Sequence, residues 1–243
     1  MAEPDKIAVS VWRSAGAGTY ADYRVPFRES QTVLDVVTYI QRHLDPSLAY
    51  RFACRVGVCG SCAMTVNGVP RWTCRTHVKK VVRHGGLTIA PLQNMPVVKD
   101  LACDMSVFFE KWRDAEGRFR GTTTRDDGIA AVPPSSPQRQ AADAGIECIN
   151  CGVCYSACDV VKWNEAYLGP AALNRAWTLQ NDVRDQGFAR RIEAVAADSG
   201  CHNCHSHQSC AEFCPAGLNP TRSIAGLKAM SVRAALTGRT EQP

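Results

Sequence analysis

Apolar and polar residues alternate along residues 7–12 (IAVSVW) and again along residues 23–27, the two-residue period of strands with one buried face. The period then changes. Val33, Leu34, Val36, Val37, Ile40 and Leu44 recur at helical spacing behind a Thr32/Asp35 pair that has the form of a capping box, and Pro46 follows the end of that pattern. Residues 63–66 and 69–73 flank Asn67-Gly68, a dipeptide suited to a type I′ turn, so they predict a hairpin. Residues 87–90 predict the last strand of a small mixed sheet.

Across residues 111–144 the periodicity fades. Gly121, Thr122, Thr123, Thr124, Pro133, Pro134, Ser135, Ser136 and Pro137 make this stretch rich in turn formers, which reads as a connection. Beyond it, residues 171–183 and 190–197 predict helices, the first entered through Gly169-Pro170. The expected class is α+β: a sheet domain over residues 1–105, a connecting segment over 106–144 and a mostly helical domain over 145–243.

Composition narrows the function classes. With 243 residues and 45% hydrophobic content the chain supports packed cores. Its net charge of +5 comes from scattered residues with no basic stripe interleaved with aromatics, which argues against nucleic-acid binding. No apolar run approaches the roughly 18 residues of a membrane span. The opening MAEPDKIAVSVW carries neither a secretory nor a mitochondrial targeting pattern, so the thiols are expected in a reducing cytosol and any membrane contact through a partner.

The 13 cysteines then dominate the reading. Cys54, Cys59, Cys62 and Cys74 read C-x4-C-x2-C followed by a distant fourth, the plant-type ferredoxin loop. Four thiolates must converge on one small anionic core; Gly57 and Gly60 let the loop fold round it and bring backbone N–H groups to sulfur. Structural zinc prefers two C-x2-C-like pairs a dozen or more residues apart, and disulfides suit secreted chains, so a [2Fe-2S] cluster is the stronger reading. A zinc-stabilised binding module with no redox role is the competing class.

Cys148, Cys151, Cys154 and Cys158 match the bacterial ferredoxin run, in which the fourth cysteine ligates a neighbouring cluster. That crossing predicts a partner motif downstream, and Cys204, Cys210 and Cys214 supply it, with Pro215 after Cys214. Cys148, Cys151 and Cys154 then take Cys214. Cys158, Cys204 and Cys210 are left as a second set of only three thiolates.

Taken together, CRVGVCGSCAMTVNG, CINCGVCYSAC, WNEAYLGPAAL and SCAEFCPAGLNPTRSI make the chain similar, over nearly its whole length, to the iron-sulfur subunits of succinate dehydrogenase and fumarate reductase. The resemblance implies an N-terminal ferredoxin-like β-grasp domain with [2Fe-2S] and a helical domain resembling bacterial two-cluster ferredoxins with [4Fe-4S] and [3Fe-4S]. It implies electrons passing singly between FAD on a partner flavoprotein subunit and a quinone beside membrane anchor subunits, on the cytoplasmic face of a prokaryotic membrane. It also puts Trp163 and His205 at quinone-site positions. A related subunit of a soluble fumarate- or heterodisulfide-type reductase, without a quinone site, is the alternative.

The chain departs from that family at two positions. Asp159 stands where proline usually follows the cysteine, and His207 stands where an apolar residue commonly faces the open corner of the three-iron core. His207 is therefore a candidate extra ligand, since imidazole does ligate iron in Rieske centres. Cys103 and Cys201 fall outside the sets: Cys103 reads as a small buried residue, and Cys201, which forms an extra C-x2-C with Cys204, as a buried residue or a competing ligand.

Overall fold

The computed structural model describes residues 6–14, 18–238 and 240. Part of the stretch read for a targeting segment, residues 1–5, lies outside the described residues. The chain divides into two compact units: residues 1–105 with 149–157, and residues 106–148 with 158–243. The run carrying Cys151 and Cys154 thus packs with the first unit, although the sequence pattern groups it with the helices.

In unit 1, β1 (Lys6–Arg13) turns Ile7, Val9 and Val11 inward and pairs antiparallel with β2 (Thr19–Pro26), Ile7 opposite Val25. Next comes α1 (Val33–Tyr39), started by the expected capping box: Asp35 N–H donates to Thr32 Oγ1 at 3.2 Å while Thr32 N–H donates to Asp35 Oδ2 at 3.0 Å. Helical structure continues as a wider π turn over Ile40–Leu44, closed by Asp45 N–H on the Ile40 carbonyl at 2.8 Å. β3 (Ala63–Val66) and β4 (Val69–Trp72) form the hairpin, with Asn67 and Gly68 at φ of 49° and 80°, the signs a type I′ turn needs. The short α2 (Val78–Val81) leads to β5 (Gly86–Ala90), which runs parallel to β1 and antiparallel to β3.

The strand order is β2-β1-β5-β3-β4. β2 and β3 lie on opposite sides of the β1/β5 pair, and α1, on the connection between them, crosses the sheet with Val33, Val36 and Val37 buried in one cluster with Val9, Val11 and Ile89. A second, two-stranded sheet of β6 (Val97–Lys99) and β7 (Ala102–Cys103) was not expected. Asp100 between them accepts backbone N–H bonds from Ser14 at 3.0 Å and Ala49 at 2.9 Å and pairs with Arg13 Nε at 3.2 Å, which fastens this corner to β1. α5 (Val153–Ser156) docks on the same unit: Gln93 N–H donates to Ser156 Oγ at 2.8 Å and Asn94 Nδ2 donates to the Tyr155 carbonyl at 3.0 Å.

Unit 2 is helical among the described residues. It comprises α3 (Ser106–Asp114), α4 (Pro137–Ile146), α6 (Asp159–Trp163), α7 (Gly169–Gln180), α8 (Phe188–Ala196), α9 (Ser209–Glu212) and α10 (Pro220–Thr237). α7 is the centre, packed against α3, α4, α8 and α10. The turn-rich reading of residues 111–144 needs correction at both ends. α3 runs to Asp114, and Ser136-Pro137 opens α4, with Arg139 N–H donating to Ser136 Oγ at 3.2 Å and proline at the first helical position.

A buried ion pair ties the connection to the helices. Arg191 Nη2 meets Asp185 Oδ1 at 3.0 Å, both side chains fully buried, and Arg191 Nε donates to the Glu116 carbonyl at 3.1 Å. Asp185 also accepts N–H bonds from Arg120 at 2.9 Å and Gly187 at 2.7 Å.

Candidate metal centres

The loop from Cys54 to Cys62 wraps its own sulfurs in backbone donors. Val56 and Val58 N–H both donate to Cys54 Sγ at 3.4 Å, and Cys54 N–H donates to Cys59 Sγ at 3.4 Å. Ser61 Oγ lies 3.1 Å from Cys59 Sγ, and Gly57 N–H donates to Cys74. The Ser61 hydroxyl, with backbone donors and Cys54 against a smaller effect of burial, holds the Cys59 thiol down at about 6. Burial, then Cys62 beside it, pushes Cys74 up to about 12. Cys54, Cys59, Cys62 and Cys74 are therefore within electrostatic reach of one another, with Cys74 carried in by the hairpin on a 3₁₀ turn (Thr73–Arg75).

This donor set fits an anionic iron-sulfur core. N–H and O–H bonds to sulfur favour a more negative cluster, and the loop supplies them from the main chain. Gly57 and Gly60 adopt φ of 79° and 72°, a left-handed region costly for other residues, which lets successive N–H groups turn inward. Among the described residues no three His, Cys, Asp or Glu side chains are gathered tightly enough for a single metal ion. Around a cluster the thiolates stand farther apart, on the corners of the inorganic core.

In unit 2, Cys158, Cys204 and Cys210 line one cavity that holds about 350 Å³ of empty space, part of it open to solvent. Tyr167, Pro170, Thr221 and Ile224 wall its inner side, and the loop from His205 to Ser209 covers the outer side. Burial is the first cause that pushes the Cys158 and Cys210 thiols up; Cys158 also feels Cys204 and Asp159, and Cys210 feels Cys158 and Cys204. Cys158 accepts N–H bonds from Val160 and Val161, Cys204 from Ser206 at 3.4 Å, and Cys210 Sγ sits 3.2 Å from Thr221 Oγ1. Here too the donors suit charged sulfur.

Three neighbours of this trio were not singled out from the sequence. Tyr167 is buried against all three thiols, and burial followed by their charge pushes its phenol far above the usual range. Thr221 and Lys228 arrive from α10, Lys228 Nζ donating to the Cys204 carbonyl at 2.6 Å. Neither has a local signal, because only the packing of α10 brings them in.

Of the set assigned to a four-iron cluster, Cys151 and Cys154 belong to unit 1 and Cys148 and Cys214 to unit 2. Trp163 is 68% exposed, so packing does not account for it, and His205 is exposed as well. His207 also lines the cavity, with its ring centroid 6.1 Å from those of Trp163 and His205. Cys103 and Cys201 are buried, as expected of thiols outside the sets.

Residues 8–110 match the model of a 2Fe-2S iron-sulfur cluster binding domain, and residues 145–218 that of a 4Fe-4S dicluster domain. The chain is 35% identical over 238 residues to the fumarate reductase iron-sulfur subunit of Mycobacterium tuberculosis, covering 96% of this chain and 95% of that one. It is 35% identical over 215 residues to succinate dehydrogenase [ubiquinone] iron-sulfur subunit 1, mitochondrial, of Oryza sativa, covering 88% and 76%. The chain belongs to the succinate dehydrogenase/fumarate reductase iron-sulfur subunits. A chain of the Mycobacterium smegmatis Sdh1 complex in the apo form superposes with a TM-score of 0.84 at 27% identity, over 98% of this chain and 99% of that one.

Iron-sulfur subunits of this family transfer electrons within an oxidoreductase complex. Both expected cluster domains are present, and the fold is the expected α+β arrangement of a ferredoxin-like sheet and a helical part. No helix among the described residues is long and apolar enough to cross a membrane.

Proposed function

We propose that this subunit carries single electrons between FAD on a flavoprotein partner and a quinone held at a membrane anchor, using three clusters. Cys54, Cys59, Cys62 and Cys74 hold [2Fe-2S]; Cys148, Cys151, Cys154 and Cys214 hold [4Fe-4S]; Cys158, Cys204 and Cys210 hold [3Fe-4S]. The observation that carries this reading is the cavity shared by Cys158, Cys204 and Cys210, whose lining contains no fourth thiol. When bound, the clusters supply one-electron centres that divide the flavin's two-electron chemistry into single steps.

The chain's own residues hold the sulfur and shape its surroundings. Backbone N–H groups of Cys54, Val56 and Val58 and the Ser61 hydroxyl neutralise charge at the first site. Tyr167 and Ile224 keep the inner wall of the last site closed, while its outer loop carries His205. Exposed Trp163 offers an apolar face for a quinone ring, and His205 a ring N–H for a quinone oxygen. Attachment through anchor subunits on the cytoplasmic face of a prokaryotic membrane fits a chain without a spanning helix among its described residues.

A redox titration of the purified complex followed by electron paramagnetic resonance tests this reading. Three centres are expected, of two-, four- and three-iron type, with about nine irons per chain. A colourless protein, or one whose thiols bind zinc, overturns it.

A further inference from the structure

The two-iron loop touches one residue of the four-iron run directly. A Cβ placed on Gly60 would lie 2.6 Å from Cys151 Cβ and 2.9 Å from Cys151 Cα, so only a residue without a side chain permits this approach. Gly60 lies between Cys59 and Cys62 and is buried, whereas Val56 and Val58 on the same loop are 60% and 65% exposed. Both sides of the contact are fixed. Ala63 N–H donates to the Gly60 carbonyl at 3.1 Å, and the Cys151 side is held by Gln93 on Ser156 and Asn94 on the Tyr155 carbonyl.

We propose that Gly60 is a positioning residue for electron transfer: its missing side chain sets the separation between the two-iron and four-iron centres, and the Gly60–Cys151 contact is the electron's crossing point. This rests on the ligand assignment above. One electron leaves the two-iron centre, oxidising it, and reduces the four-iron centre; no bond breaks and no proton moves. The covalent path runs from Cys59 through the Gly60 backbone, crosses one van der Waals contact and re-enters bonds at Cys151 Cβ. Tunnelling falls exponentially with distance and faster across space than along bonds, so a residue that makes the single through-space step as short as packing allows controls the rate.

Gly85 provides the matched comparison. It has a similar left-handed φ of 75° in the same unit and no part in the cluster loop, and a Cβ there meets nothing within 4 Å. Gly60→Ala and Gly85→Ala therefore impose the same kind of backbone strain, and only the first pushes on the four-iron run.

The test is microwave power saturation of the two-iron signal in the purified complex, with the four-iron centre first oxidised and then reduced. In the unaltered protein, reducing the four-iron centre is expected to raise the half-saturation power several-fold, because a nearby paramagnet speeds relaxation. Gly60→Ala is expected to reduce that rise at full iron content, and Gly85→Ala to keep it. The proposal is overturned if Gly60→Ala keeps the full rise, if Gly85→Ala loses as much, or if the unaltered protein shows none while both signals are present. Absence of a four-iron signal would instead refute the ligand assignment.

Discussion

His207 Nδ1 lies 3.8 Å from the Asp159 carboxylate. Asp159 and His207 thus form one pair, at the mouth of the cavity that holds the thiol trio. The His207 ring also stands edge-on to Trp163, at 72° between planes. Both partners of the pair are about half exposed, and such a contact stabilises by ~0–1 kcal/mol, enough to bias the imidazole outward without locking it. The oxidised protein is therefore expected to show a normal three-iron resonance that His207→Leu leaves unchanged. A weak signal with about one extra iron per chain, restored by His207→Leu, would show instead that the imidazole ligates a fourth iron.

Ser61 should tune the first cluster. Once Cys59 is bound to iron its sulfur has no proton, so across the 3.1 Å contact the hydroxyl must be the donor. That bond is stronger to the reduced, more negative core. Ser61→Ala removes a hydrogen bond worth ~1 kcal/mol; only the part of it gained on reduction moves a one-electron couple, so the potential should fall by at most ~40 mV. A potentiometric titration of the two-iron signal checks both sign and size; an unchanged or raised potential would rule out the donor role.

Periodicity made β1 and α1 legible, because each buries one face against the same core and so writes its period into the sequence, while the hairpin, whose β3 is buried at every position, was marked by Asn67-Gly68. β6 carries no such mark. Its three residues are all exposed, and Asp100, which anchors the corner, reads as an ordinary turn residue until Ser14 and Ala49 are brought to it. α4 was hidden by the prolines and serines before it, although Ser136-Pro137 is itself a helix start. That Cys158, Cys204 and Cys210 share one cavity, and that Cys54, Cys59, Cys62 and Cys74 gather, followed from spacing. Tyr167, Thr221 and Ser61 did not, because a hydroxyl near sulfur is a product of packing and looks like any other hydroxyl in the chain.

Arg191 is another residue whose weight the sequence conceals. In the chain it sits beside Arg190 as one more basic residue of α8, yet its side chain is fully buried and is matched by an equally buried Asp185. Removing one partner strands the other charge, so Arg191→Met should destabilise unit 2 by ~3–5 kcal/mol, whereas Arg191→Met combined with Asp185→Asn, which removes the stranded charge and keeps an amide oxygen for the backbone donors, should recover part of that loss. Denaturant unfolding of the two variants against the parent decides it: equal losses in the single and double variant would mean that the pair does not act as a unit.

Asp100 gives a pH dependence with a definite sign. Burial alone would raise its pKa, but N–H donors from Ala49 and Ser14 and the Arg13 guanidinium outweigh it and hold the carboxyl below its ordinary value. A carboxylate whose folded pKa is depressed contributes stability that is complete above its unfolded pKa of about 4, and that is lost as pH falls through the lower folded value. Asp100→Asn keeps the shape and removes the charge. It should cost ~2 kcal/mol at neutral pH, and the gap between the two proteins should close as pH drops below about 4. Both carry the same clusters, so acid lability of the sulfide affects both alike and the difference in unfolding midpoint isolates the carboxylate. A gap that stays constant from neutral to acid pH would mean that the Asp100 charge contributes nothing to holding this corner on β1.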